Sequence, residues 1–127
     1  MVVRKLAGFL LVLAIAWTTA PPSIAGGPEE RTFALDLRHR SVTGGGRVIR
    51  VKQGDTVTLR WTTDETVTIH LHGYDIERVV KPGTVSEFTV KAYATGRFPI
   101  TAHGFGERPH GEGHAETPLV YLEVLPH

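Results

Sequence analysis

The sequence has no cysteine, and its single methionine is Met1. Without cysteine there can be no disulfide, thiolate nucleophile, thiolate zinc site or iron–sulfur cluster. The same absence excludes a lipid anchor of the lipoprotein kind. No apolar run reaches the roughly 20 residues that a bilayer-spanning helix needs. The longest, Leu6 to Trp17, follows Arg4 and Lys5 and precedes the small-residue string Ser23-Ile24-Ala25. That order reads as a secretory signal over residues 1–25, cleaved after Ala25, with one domain over residues 26–127. Nor is there an excess of charge of either sign. Setting aside Arg4 and Lys5 leaves 12 of the 14 basic residues against 13 acidic ones. No basic stripe with interleaved aromatics occurs, so neither DNA nor RNA is an expected partner. Gly-x-Ser-x-Gly, a Walker-type loop and Gly-x-Gly-x-x-Gly after a strand are all missing. Gly44-Gly45-Gly46 reads as a turn.

What is present is a period of two. Phe33, Leu35 and Leu37 alternate with Thr32, Ala34, Asp36 and Arg38, and Val57, Leu59 and Trp61, then Val67, Ile69 and Leu71, alternate with polar residues. Further runs cover Val48–Lys52, Val85–Lys91, Gly96–Ala102 and Leu119–Leu125, with turn residues between them. About seven short strands of this kind predict an all-β antiparallel sandwich or barrel. A single helical turn is expected near Ala92–Thr95. Gly104 to Pro118 is long for a connection inside a compact domain, and such loops are usually functional or disordered.

Histidine supplies the chemistry. Alternation through Val67–His72 sends the aliphatic side chains one way and His70 and His72 the other, close enough to approach one metal ion or for one to support its neighbour. Gly73 ends the run. His103 stands at the entry of the long loop, which also carries His110 and His114; His39 lies apart. Neutral imidazole is the commonest protein metal ligand and suits copper and zinc. The candidate ligands are thus His70, His72, His103, His110 and His114, gathered at one tip of the sandwich, with Glu112 or Glu116 as oxygen donors. A solvated histidine is the plain alternative for each loop position. Asp75 and Glu77 read as surface ion-pair partners of nearby Arg78 rather than as a catalytic carboxylate pair.

Arg47 to Leu125 resembles the cupredoxin family, the small secreted copper β-sandwiches. The resemblance rests on four features in order. They are Val51-Lys52-Gln53-Gly54-Asp55-Thr56-Val57, a histidine at the end of the fourth strand, Lys81-Pro82-Gly83-Thr84, and Gly96-Arg97-Phe98. It implies a Greek-key sandwich and copper, as Cu(II) or Cu(I). His70 or His72 corresponds to the family's first histidine ligand, and His110 or His114 to the second. The family's cysteine position falls at Ala102 or His103 and its methionine position near Pro118, so neither sulfur ligand is present. A blue-copper centre depends on the copper–thiolate bond, and this chain cannot make one.

The expected function is therefore exported or periplasmic metal binding, holding or transferring copper, with zinc as the other ion the donors suit. A membrane or periplasmic protein would receive the ion. The competing reading is a metal-free accessory or interaction module. A small copper enzyme ranks last, and no enzymatic activity is expected.

Overall fold

A computed structural model describes residues 26–43, 46–104 and 118–127. They form nine strands: β1 (Glu30–Arg38), β2 (Ser41–Thr43), β3 (Val48–Lys52), β4 (Thr56–Thr63), β5 (Val67–Leu71), β6 (Ile76–Val80), β7 (Ser86–Lys91), β8 (Gly96–His103) and β9 (Val120–Leu125). One sheet has the order β2-β1-β4-β7 and the other β3-β9-β8-β5-β6. The all-β sandwich expected from the alternation is what forms. Its pairings are mixed rather than purely antiparallel, because β1 runs parallel to β4 and β3 parallel to β9.

Parity decides which side chains fill the space between the sheets. Leu35, Leu37, Val57, Leu59 and Trp61 from one sheet belong to the same buried cluster as Val67, Ile69, Leu71, Ile100, Leu122 and Val124 from the other. Trp61 is completely buried. With no disulfide available, this apolar burial supplies the stabilisation, about 1.5–3 kcal/mol for each large aliphatic side chain removed from water.

The two strands beyond the expected seven are β2 and β6. β2 follows a two-residue turn, His39-Arg40, whose φ angles are 49° and 63°. Positive φ at both central positions is the hairpin geometry normally signalled by Asn-Gly, so His-Arg concealed it. The neighbouring β4–β5 turn holds it: His39 N–H donates to the Asp64 carboxylate (3.0 Å), and Arg40 pairs with Glu65 (3.0 Å). That N–H also keeps the Asp64 pKa below its ordinary value. β6 was hidden because Arg78, exposed, shares the strand parity of Ile76 and Val80, its guanidinium 6.0 Å from the centre of the Phe88 ring. No helical turn forms over Ala92–Thr95. Tyr93 N–H instead bonds the Lys91 carbonyl (2.8 Å), a tighter turn than any helix makes.

Asp55, in the Gly-Asp turn between β3 and β4, ties the segment just before β1 to the sandwich. Its buried carboxylate accepts the Glu29 N–H and the Lys52 N–H, both at 2.9 Å, with Arg31 Nε 3.2 Å away. The Glu29 hydrogen bond, the Lys52 hydrogen bond and then the Arg31 charge lower its pKa against the opposing effect of burial. A carboxyl lowered in the folded state stabilises the fold above its unfolded value of about 3.9. That contribution disappears as pH falls through the folded value. Asp55→Ala is expected to cost about 3 kcal/mol at neutral pH by urea unfolding. The gap from the parent protein should narrow below about pH 4; a gap that stays constant from neutral pH to pH 3 would contradict this role.

Candidate metal centre

Val67, Ile69 and Leu71 of β5 are buried in the core, so Thr68 and His70 emerge on the outer face of the five-stranded sheet. β5 lies between β8 and β6, and register selects its neighbours. Glu77 of β6 and Thr101 of β8 stand directly across from His70, while His103 stands across from Thr68. His70 is only 19% exposed despite facing outward. The His72 ring packs on it, centroids 3.9 Å apart at an interplanar angle of 37°. His72 itself is fixed twice: its N–H donates to the Pro99 carbonyl (3.1 Å), and its Nε2 shares a 2.9 Å hydrogen bond with the Thr101 hydroxyl.

Glu77 links the histidines that the backbone separates. Its Oε1 lies 3.8 Å from His70 Nδ1 and 3.6 Å from His103 Nε2. Asp75 Oδ1 lies 3.7 Å from the opposite ring nitrogen of His70. The surface ion pair expected between these carboxylates and Arg78 does not form among the described residues. Arg78 donates instead to the Glu77 backbone carbonyl (2.7 Å), and its exposed guanidinium lies 6.0 Å from the centre of the Phe88 ring.

Imidazole nitrogen and carboxylate oxygen bind zinc at about 2.0–2.2 Å, so two such donors on one ion can stand at most about 4.2 Å apart. Both pairs, His70–Glu77 and Glu77–His103, fall inside that limit. The donor set of nitrogen and oxygen suits Cu(II) or zinc. As they stand, however, these side chains do not form a metal site: among the described residues, no group of three or more His, Asp or Glu side chains is placed to hold an ion.

Of the residues expected from the sequence, His70, His72 and His103 lie on this one sheet. His110 and His114 lie outside the described residues, as do Glu112 and Glu116. His39 sits in the β1–β2 turn on the other sheet. The expected gathering at a tip rests in part on His110 and His114, outside the described residues; the three described histidines lie along β5 and β8. His103, opposite Thr68, and His72, beyond Leu71, fall on opposite sides of His70 along β5. Glu77 and Thr101 were not anticipated as members of the cluster. A hairpin pairing of Leu71 with Ile76 would have placed Glu77 beside His70.

The turn after the histidines depends on Gly73, with φ of 82°. A methyl group placed there would overlap the Phe98 ring. Phe98 in turn meets Tyr74 edge-on at 4.9 Å, and Tyr74 donates its hydroxyl hydrogen to the Ala94 carbonyl (3.0 Å). The glycine that ends the Val67–His72 run is therefore explained by packing.

Fold and cluster together define a cupredoxin-like β-sandwich that carries imidazoles and a carboxylate and has no sulfur ligand. Among solved structures, the chain is similar to part of a heme-copper terminal oxidase dimer, with 23% identity and a TM-score of 0.59, covering 75% of this chain and 65% of that one. The blue copper oxidase from Nitrosomonas europaea gives 20% identity and a TM-score of 0.59 over 76% of this chain and 39% of the other. The chain thus spans less than two thirds of each of these two proteins. The periplasmic domain of subunit II of cytochrome oxidase from Bradyrhizobium japonicum gives 15% identity and a TM-score of 0.53, with 75% and 83% covered. No family model matches the chain, and no curated protein matches it. At these identities the likeness is one of fold.

Gly73→Ala is expected to lower stability by about 2–4 kcal/mol, combining left-handed backbone strain with overpacking. Gly83→Ala is the control, since its φ is 78° but nothing lies within 4 Å of an added methyl. It should cost only about 1–2 kcal/mol. Equal unfolding midpoints in urea for the two variants would contradict the Phe98 contact.

Proposed function

We propose that this protein is an exported copper-binding protein that holds the ion on the outer face of its five-stranded sheet and passes it to a membrane or periplasmic acceptor. One observation carries the reading: a single Glu77 oxygen lies within 3.8 Å of His70 Nδ1 and 3.6 Å of His103 Nε2. His70 and His103 supply the nitrogen ligands. His72 holds His70 in place by ring stacking and is itself anchored to Thr101. Asp75 faces the far nitrogen of His70, where ligating histidines commonly have a carboxylate partner. His110 or His114 is the further donor that the sequence offers, and water can fill what remains. Export rests on the charge and small-residue pattern of residues 1–25. The copper named for the heme-copper and blue copper oxidases supports the choice of ion only by likeness of fold.

The role is binding and transfer rather than catalysis. Exposed ligands favour exchange: His103 is 41% exposed and Glu77 56%. Zinc is the alternative ion. The open donor set among the described residues favours the competing reading, a metal-free accessory module, and metal binding separates the two.

Equilibrium dialysis of the purified protein should give about one Cu(II) per chain, without the intense visible absorption of a copper–thiolate bond. His70→Ala and His103→Ala should each weaken binding about 100-fold or more, and His72→Ala about 10-fold, as outer-shell partners do. Acidification from about pH 7.5 to about pH 5.5 should weaken it as well, because protons compete for the ligand nitrogens. No copper retained at micromolar concentration would leave the accessory-module reading standing.

A further inference from the structure

β7 is the last strand of the four-stranded sheet, and among the described residues it is paired on one side alone, with β4. Ala92, which follows it, donates its N–H to the Asp55 carbonyl and accepts the Gly54 N–H, both at 2.8 Å. In an antiparallel strand the N–H and C=O of one residue point to the same side, and the side alternates along the chain. Ser86, Phe88 and Val90 therefore turn their peptide groups toward β4, whereas Glu87, Thr89 and Lys91 turn theirs to the open edge. Such an edge accepts another strand unless proline, a bulge or repelling charge blunts it. β7 has no proline, no glycine and no residue at positive φ, and it carries one charge of each sign.

The edge is self-complementary about Thr89. From this we infer that β7 is a homodimer interface, pairing antiparallel with β7 of a second copy across a two-fold axis at Thr89. The axis brings Glu87 of each copy opposite Lys91 of the other. Arg60 already pairs with Glu87 (3.0 Å), so the outer row runs Arg60, Glu87, Lys91 with alternating sign across the junction. The middle row is threonine throughout, because Thr58 and Thr89 share a 2.9 Å hydroxyl hydrogen bond within each copy. On the inner face Phe88 meets Val90, both buried, and the two apolar layers become continuous. Exposed residues thus face exposed ones and buried residues face buried ones, as a continuous sheet requires.

The flanking residues fit the same axis. Val85 and Tyr93 are 54% and 63% exposed, unusual for large apolar side chains. Each stands four positions from Thr89, so Val85 of one copy reaches the end of the ladder that Tyr93 of the other occupies. The remaining edge strands lack this symmetry. β2 has three residues, β3 exposes Arg50 and Lys52 of one sign, and an axis at the middle of β6 sets Arg78 against itself. Like charges directly opposite destabilise a strand pair. His70 and His103 lie on the other sheet, so the dimer does not depend on the copper reading.

Sedimentation velocity of the purified protein from about 5 to about 500 µM should show monomer converting to dimer as concentration rises. Glu87→Lys and Lys91→Glu each set like charges opposite one another, and each should weaken self-association by about 10-fold or more. Both positions are exposed, so both variants should keep the circular dichroism spectrum of the parent protein. Mixed in equal amounts, the two variants regain opposite charges in both pairs and should dimerise within about 3-fold of the parent affinity. A parent protein that stays monomeric throughout, a dimer indifferent to both substitutions, or a mixture that stays monomeric would each overturn the inference.

Discussion

The alternation of β5 is the constraint on which the site depends. Val67, Ile69 and Leu71 are needed in the core beside Trp61, Ile100 and Leu122, and a one-residue slip would exchange the two faces of the strand. Apolar burial therefore holds His70 on the outer face without any interaction of the imidazole itself. The registers with β6 and β8 then set Glu77 on one side and Thr101 on the other. The ring contact with His72 and the Gly73–Phe98 packing fix the far end of the strand. Site geometry here is a consequence of core packing one layer below.

The same constraint explains which parts were legible from the residues. Period-two runs revealed the core faces, because each buried position had to be apolar. The Gly54-Asp55 turn was legible for a different reason: a buried carboxylate that accepts two backbone N–H groups leaves few substitutes. β2 was hidden because its turn uses His39 and Arg40 at positive φ, where glycine or asparagine is the usual mark. β6 was hidden by Arg78, an exposed charged residue that shares the strand parity of Ile76 and Val80. Local pattern also carries no information on the parallel partners β1–β4 and β3–β9, whose pairing depends on contacts distant in sequence.

The histidines were visible and their partner was not. His70, His72 and His103 stood out by residue type, whereas Glu77 reads as an ordinary surface acid until the β5–β6 hairpin register is known. Once the register is in place, a carboxylate takes a central position among donors that include no cysteine or methionine. The sandwich is cupredoxin-like in its sheets, while the side chains clustered on its outer face offer nitrogen and oxygen atoms only.

Anomalous diffraction at the copper edge from crystals of the copper-loaded protein tests the central claim most directly. The account places a peak on the outer face of the five-stranded sheet, bonded to His70, Glu77 and His103. A peak elsewhere on the surface, with these three side chains unchanged and uncoordinated, would contradict it.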